Sequence, residues 1–108
     1  MIKQLKSSEI KNFINDNKNI ELLDVRTKEE WDSIGVPDGK KLGLKTHFIT
    51  IVRSPNPNAN KEFIEEVKKV IGLNKDLLVM CKAGGRSMMA SQLLSQEKIN
   101  CINVSDGF

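Results

Sequence analysis

A short apolar run that passes directly into a glycine-rich loop constrains the fold of this chain more than any other feature. The run Leu77 to Met80 has the composition of a buried β-strand, and a helix is predicted from Arg86 to about Glu97. The residues Cys81-Lys82-Ala83-Gly84-Gly85 join the two, and Arg86 and Ser87 lie where the helix begins. Because Gly84 and Gly85 allow positive φ values and close backbone approach, the segment predicts a strand, a tight loop and a helix in immediate succession.

The cysteine at the start of this loop has the surroundings of a reactive thiolate. Backbone N–H groups at a helix N-terminus, together with nearby cations, lower the pKa of a thiol. A lone cysteine that ends an apolar strand is more often a small buried hydrophobe, but the loop favours a catalytic role for Cys81. Lys82, the long cation within the loop, either steers anions towards it or points to solvent. Cys101 lacks such surroundings and is predicted to be a core residue.

The spacing between Cys81 and Arg86 argues against one class of cysteine enzyme, the phosphatases. Four residues separate Cys81 from Arg86, whereas cysteine phosphatases have a longer, roomier loop with the pattern Cys-x5-Arg. The residue at the phosphatase arginine position is Ser87, which cannot supply a guanidinium fork to a phosphoryl group. A phosphatase is therefore disfavoured.

Three of the 17 basic residues are arginines, and two of these lie in the strongest motifs. A chain that otherwise uses lysine needs the planar, multi-donor guanidinium at those positions. Arg86 is interpreted as a residue that forms the active site. Arg26 is interpreted as a structural residue that braces Glu29 or Glu30 in the next helix turn. The alternative is that Arg26 and Asp24 line the rim of a cleft.

Strands and helices alternate along the rest of the chain. Predicted strands lie near Ile2 to Leu5, at Ile20 to Val25, near Leu42 to Leu44 and at Cys101 to Val104. Predicted helices follow caps at Ser7-Ser8-Glu9, at Thr27 and at Asn60, and the second ends at about Ile34. The helix from Asn60 to Gly72 has an apolar face made of Phe63, Ile64, Val67, Val70 and Ile71. This alternation predicts a parallel sheet covered on both faces, with ligands at the carboxyl ends of its strands, where Cys81 lies.

Length and composition limit the classes of protein to consider. A chain of 108 residues forms one domain, and a hydrophobic fraction of 39% disfavours disorder. No apolar run approaches the roughly 20 residues of a membrane span, and the first residues lack a signal-peptide core, so a cytoplasmic location is expected. The two cysteines have no metal-ligand spacing and fit a reducing compartment. Basic runs with interleaved aromatics are absent, so nucleic acid is not an expected partner.

Four segments resemble the rhodanese-like (sulfurtransferase) family. The loop from Cys81 to Ser87 is similar to the family's active loop, a strand followed by Cys-x4-Arg and a helix. Leu23 to Trp31 resembles the early Asp-x-Arg signature, which precedes a helix with acidic residues and an aromatic. Gly35 to Gly39 is a weaker match to Gly-His-Ile-Pro-Gly-Ala, because the histidine is absent. Asn103 to Phe108 resembles the final strand and its glycine turn, so the resemblance extends over the whole chain.

The resemblance implies an α/β fold over residues 1–108, a single rhodanese-like domain with a mostly parallel five-stranded sheet and helices on both faces. The family normally continues past the final glycine turn into another helix. We therefore expect that residues 1–108 lack that C-terminal helix, and that the natural protein is longer or another molecule covers the uncapped surface around Cys101 to Phe108.

The resemblance also implies an activity, a sulfurtransferase reaction through a Cys81 persulfide. The sulfur would come from a small anionic donor such as thiosulfate and pass to cyanide or to a thiol acceptor, either a small molecule or a thioredoxin-like protein. Amides of Lys82, Ala83, Gly84, Gly85 and Ser87 would hold the anions, and Arg86 would lock the loop or bind the donor. Neither a metal nor an organic cofactor is required, a histidine base such as His47 is not needed, and no membrane partner is expected. The alternative is a non-catalytic docking module or a redox sensor.

Overall fold

Five parallel strands form the sheet at the centre of the chain, in the order β1-β5-β4-β2-β3. The computed structural model describes residues 2–17, 19–37, 39–52, 59–71 and 75–107. Its strands are β1 (Lys3–Leu5), β2 (Ile20–Asp24), β3 (Thr46–Phe48), β4 (Asp76–Met80) and β5 (Cys101–Val104). Its α-helices are α1 (Ile10–Asp16), α2 (Lys28–Ile34), α3 (Gly39–Leu42), α4 (Ala59–Val70) and α5 (Gly85–Ser95). The predicted five-stranded parallel sheet is confirmed.

Side chains alternate along the strands and fill a core on each face of the sheet. On one face, Leu77 and Val79 of β4 pack with Phe63 and Val67 of α4 and with Leu94 of α5. The opposite face has its own buried cluster, made of Leu5, Ile10, Ile20, Leu22, Leu44, Leu78, Met80, Ile102 and Val104. Helical cover on both faces is therefore confirmed, and β4 is buried between its neighbours β5 and β2.

Local capping signals explain where two helices begin. The Thr27 hydroxyl oxygen accepts a hydrogen bond from the Glu30 amide at 3.3 Å, and the Glu30 carboxylate accepts one from the Thr27 amide at 3.3 Å. This reciprocal capping box starts α2 at Lys28, as predicted. Ser7 does not cap α1, because its amide and its hydroxyl both donate to the Asp106 carboxylate at 2.8 Å. A 3-10 turn over Ser7–Glu9 leads into α1 instead.

Helix α4 differs from its prediction in two ways. It begins at Ala59, so Asn60 lies inside the helix and is not its cap. Val70 is 40% exposed, so its predicted place on the apolar face is wrong. Phe63 and Val67 form the buried stripe at a spacing of four residues, with Ile64 and Ile71 packed beside it. The predicted end at Gly72 lies outside the described residues.

The predicted strand near Leu42 to Leu44 is wrong. Gly39–Leu42 is a single helical turn, and the strand of this region is Thr46–Phe48, which pairs with β2. Leu44 looks like a strand residue because it is apolar, but it packs into the core beside α1, and its amide donates to the Gly39 carbonyl at 2.8 Å. Strand pairing begins only at the Lys45 carbonyl, which accepts from the Leu22 amide.

The last strand is covered on both faces. Cys101, Ile102, Asn103 and Val104 are all buried, and so is Gly107. The predicted uncovered surface is therefore wrong for Cys101 to Val104, whereas Asp106 is exposed and Phe108 lies outside the described residues. The longer natural chain and the lacking C-terminal helix stay predictions. Across the described residues, every helix falls short of the length and apolarity that crossing a membrane demands.

Candidate active site

The loop after β4 lies at the carboxyl ends of the parallel strands, with Cys81 on its floor. Gly84 precedes the first turn of α5 with φ of 95°, and a Cβ there would lie 2.3 Å from the Ser105 carbonyl oxygen, so glycine is required on two grounds. The prediction of a positive φ is confirmed for Gly84 and is wrong for Gly85, which already has helical geometry as the first residue of α5.

Two donors converge on the Cys81 sulfur. The Gly84 amide lies 3.0 Å from Sγ, and the Ser87 hydroxyl oxygen lies 3.4 Å from it. Burial raises the pKa of the Cys81 thiol, but hydrogen bonds from the Ser87 hydroxyl and from three loop amides outweigh burial, so the pKa lies below its ordinary value. Those amides belong to Ser87, Ala83 and Gly84. The loop therefore favours a thiolate at Cys81.

The second cysteine has the opposite character. Cys101 is buried in β5 and belongs to the apolar cluster beneath α4 and α5, which confirms it as a core residue. Burial raises the pKa of its thiol to about 12. Cys101 is therefore a protonated, unreactive side chain at neutral pH.

Arg86 is tied to helix α2 by a bidentate ion pair. Its Nη1 lies 2.5 Å from Oε1 of Glu30 and its Nη2 lies 2.8 Å from Oε2. Hydrogen bonds from Arg86 lower the pKa of Glu30 to about 2. The prediction that Arg26 braces Glu29 or Glu30 is thus wrong, because the capping box at Thr27 turns Glu30 towards the loop and Arg86 takes it. The planar fork of Arg86 holds the loop against α2.

Arg26 and Asp24 form a buried pair of their own. Both side chains have 0% exposure, and Nε and Nη2 of Arg26 donate to the Asp24 carboxylate at 2.8 to 3.1 Å. Nη2 also donates to the Gly35 carbonyl at 2.8 Å, which connects the end of β2 to the turn after α2. Of the two interpretations of these residues, this burial fits the structural one and not the rim of a cleft.

The segment after β5 forms the back wall of the loop. Gly107 has φ of 69°, and a Cβ there would lie 2.2 Å from the Lys82 carbonyl oxygen and 2.5 Å from that of Cys81. Asn103, within β5 itself, is buried and contacts the same loop. Its Oδ1 accepts a hydrogen bond from the Ser87 hydroxyl at 2.5 Å, and its Nδ2 donates one to the Gly84 carbonyl at 3.2 Å. This contact was not predicted from the sequence. The available signal was a single amide among the apolar residues of a strand predicted to be buried.

Of the other residues considered for the site, two lie at the loop and one lies away from it. Lys82 and Ala83 are exposed at the mouth of the loop. His47 is buried on β3, and its Nε2 lies 2.7 Å from Oε1 of Glu21. Glu21 lies opposite Leu77 of β4. Leu77 precedes Cys81 by four residues, which corresponds to about 13 Å along the strand. The histidine is thus engaged away from the loop.

Comparison with known proteins identifies the fold family. Residues 6–108 match the family model of the rhodanese-like domain. The chain belongs to the rhodanese-like domain family. It is 30% identical over 109 residues to the uncharacterized protein RP600 of Rickettsia prowazekii, an alignment that covers 100% of this chain and 85% of the relative. The uncharacterized protein RC0915 of Rickettsia conorii is also 30% identical, with 99% of this chain and 84% of the relative covered.

Two solved structures resemble this rhodanese-like domain over almost its full length. Rv0390 from M. tuberculosis superimposes with a TM-score of 0.80 and 27% identity, covering 98% of this chain and 79% of that one. A rhodanese-like domain protein from Staphylococcus aureus superimposes with a TM-score of 0.71 and 23% identity, covering 98% and 87%. The second likeness concerns the fold alone.

Proposed function

We propose that this rhodanese-like domain is a sulfurtransferase that carries a sulfane sulfur on Cys81. The observation that carries the proposal is the convergence of loop amides on Sγ of Cys81, led by the Gly84 amide at 3.0 Å, at the carboxyl end of the central strand β4. Such donors stabilise negative charge on sulfur both before and after the transfer step. Cys81 and Arg86 are the proposed catalytic residue and loop lock, with the amides from Lys82 to Ser87 as the anion cradle.

The reaction is a double displacement in which the electrons balance without a cofactor. The Cys81 thiolate attacks the outer sulfur of thiosulfate, a new S–S bond forms on Cys81, and the S–S bond of thiosulfate breaks with its electron pair leaving on sulfite. An acceptor thiolate or cyanide then attacks the outer sulfur of the persulfide. That S–S bond breaks, and its electron pair restores the Cys81 thiolate.

The depth of the sulfur supports a role as a carrier. Cys81 is 1% exposed, so its own Sγ lies below the mouth of the loop. A persulfide places its outer sulfur about 2 Å farther out, which brings the transferable atom closer to an acceptor. Lys82 is exposed at the mouth and would attract a small anionic donor. The proposed acceptor is a small-molecule thiol or a thioredoxin-like protein, in the cytoplasm.

The alternative functions make different demands on the two cysteines. A redox sensor usually needs a resolving thiol near the reactive one, whereas Cys101 is buried and its pKa is raised. A docking module needs no lowered thiol pKa at all, whereas the donors around Cys81 lower it. These observations favour the sulfurtransferase over both.

Mass spectrometry of the intact chain tests the proposal. Incubation with thiosulfate should add the mass of one sulfur atom, and cyanide or a dithiol should remove it. Cys81→Ser should abolish the adduct, while the matched variant Cys101→Ser should retain it. If no sulfane donor forms an adduct, or if peptide mapping locates the added sulfur on Cys101, the docking module takes precedence.

A further inference from the structure

The Ser87 hydroxyl stands between two acceptors and has one proton to give. Its oxygen lies 2.5 Å from Oδ1 of Asn103 and 3.4 Å from Sγ of Cys81. All three side chains are buried, so water does not supply a substitute partner freely. A serine hydroxyl donates a single hydrogen bond and accepts others through its lone pairs. The proton on Ser87 therefore points either to the amide oxygen or to the sulfur.

The surroundings of Asn103 decide which of its amide atoms faces Ser87. Its Nδ2 lies 3.2 Å from the Gly84 carbonyl oxygen, which can only accept a hydrogen bond, and 2.9 Å from Oε1 of Gln4. Both hydrogens of the amide group are thereby used, and Oδ1 is directed at Ser87. An amide oxygen can only accept, so it takes the Ser87 proton and turns the Ser87 lone pairs towards sulfur.

The loop donors together favour a thiolate at Cys81, but the contact between Ser87 and Asn103 taken alone suits a protonated Cys81 and works against its ionisation. A thiol can donate its S–H to the Ser87 lone pairs, so every group in the row is satisfied. A thiolate cannot donate. If Ser87 keeps donating to Asn103, its oxygen lone pairs face a negatively charged sulfur and repel it. If Ser87 instead donates to Sγ, the buried Asn103 oxygen loses its hydrogen-bond donor. The Gly84 amide donates to Sγ in both cases.

We propose that Asn103 is a positioning residue that draws the Ser87 proton away from Cys81 and so limits the fraction of Cys81 present as thiolate. Other charged groups act on the same sulfur. Arg86 in the loop favours the thiolate, and Glu30 of α2 offsets Arg86. Lys82 lies exposed at the mouth of the loop, and at the end of β2 Asp24 is already paired with Arg26. Asn103 adds an uncharged control that acts through one hydroxyl.

A consequence for sulfur loading rests on the proposed function. In a persulfide the negative charge lies mainly on the outer sulfur, and the inner Sγ needs the Ser87 proton less. Ser87 can then donate to Asn103 again, which satisfies the buried amide oxygen. Asn103 therefore favours the loaded enzyme over the free thiolate, and Ser87 changes its acceptor during each cycle.

The test is the pH dependence of Cys81 alkylation by iodoacetamide, measured in a Cys101→Ser background. Asn103→Leu removes the competing acceptor, so the midpoint should fall and the thiolate fraction below it should rise by about three- to tenfold. Asn103→Asp supplies a stronger acceptor and a negative charge, so the midpoint should rise. Both variants lose the donation to Gly84. Because Asn103→Leu introduces no charge, a midpoint that stays unchanged or rises in that variant would overturn the proposal.

A second arm repeats the titration in a Ser87→Ala background. The effect of Asn103→Leu should vanish there, and the shift from Asn103→Asp should shrink to less than half; undiminished shifts would contradict the proposal. If Asn103→Leu fails to fold by thermal melting, the Asp comparison decides alone. Ser91→Ala is the matched control, because Ser91 is a buried serine one turn farther along α5 whose hydroxyl donates to the Ser87 carbonyl at 2.8 Å. It should leave the midpoint unchanged.

Alkylation requires no sulfur donor, so this experiment is independent of the proposed function. The midpoints can shift as expected in a chain that forms no persulfide, which would reject sulfur transfer and keep the role of Asn103. Conversely, persulfide formation with unshifted midpoints would reject the role of Asn103 alone.

Discussion

The guanidinium of Arg86 and the carboxylate of Glu30 meet through two parallel hydrogen bonds, although the residues are 56 positions apart. The pair ties the loop after β4 to the first turn of α2, which is itself fixed by the capping box at Thr27. Arg86 therefore has a structural partner of its own, and its charge is largely balanced before any anion arrives. The first two predictions concern this pair.

The Arg86–Glu30 pair should make stability depend on acid. The pKa of Glu30 falls from an ordinary 4.5 to about 2 in the folded chain, so its contribution is complete above the unfolded value and is lost as the pH falls from about 4.5 towards 2. Because both side chains are partly exposed, we expect about 1 kcal/mol. Urea unfolding between pH 2 and 6 measures it. Glu30→Gln should flatten this slope, while Glu29→Gln, at an exposed acid in the same turn, should retain it.

Replacement of Arg86 by lysine should abolish most sulfur transfer. A single ammonium cannot reproduce the paired planar hydrogen bonds to Glu30, and a displaced loop costs on the order of 10²-fold in rate. Glu30→Gln should produce a comparable loss if Arg86 acts by locking the loop. If Arg86 binds the donor directly, the same variant should lower the KM for thiosulfate. Steady-state assays with thiosulfate and cyanide distinguish the two. Transfer by Arg86→Lys within about twofold of wild type would show that charge alone suffices.

Contiguous signals allowed most of the fold to be predicted. The strand Cys101–Val104, the cap at Thr27 and the strand before Cys81 each depend on residues within a few positions of one another. The edge strand β3 was misplaced because Leu44 is buried without pairing, and burial alone does not separate a strand from a packed turn. Its true position depends on β2, which lies more than twenty residues earlier in the chain.

The part of the candidate site that lies within the loop after β4 was also predictable, because its residues are close together in the sequence. Cys81, Gly84 and Ser87 lie within one loop, so their convergence follows from local geometry. The partners supplied from elsewhere were not predictable, because Glu30 and Asn103 reach the loop through the strand order. The spacing predicted that Arg26 would pair with an acidic residue in the next helix turn. Its guanidinium instead donates to the carboxylate of Asp24, two residues earlier in the chain.

His47 should have little effect on sulfur transfer. Its imidazole is buried against Glu21, away from the loop, and the proposed reaction needs no histidine base. His47→Ala should keep the rate within about threefold of wild type, whereas removal of the buried contact should lower the free energy of unfolding by about 1 to 3 kcal/mol. Thiosulfate assays and urea unfolding measure the two effects separately. A loss of transfer as large as that of Cys81→Ser, in a variant that remains folded, would contradict this prediction.

The two loop glycines should respond differently to the same substitution. Gly84→Ala forces a left-handed φ of 95° on alanine and brings its Cβ within 2.3 Å of the Ser105 carbonyl, so we expect a loss of about 3 kcal/mol and a weaker Gly84 N–H contact to sulfur. No described atom outside the helix and its chain neighbours lies within 4 Å of the corresponding position on Gly85. Gly85→Ala should therefore stay within about 1 kcal/mol of wild type. Urea unfolding followed by Trp31 fluorescence measures stability, and iodoacetamide alkylation follows Cys81. Equal effects of the two substitutions would show that the contact between Gly84 and Ser105 does not hold the loop.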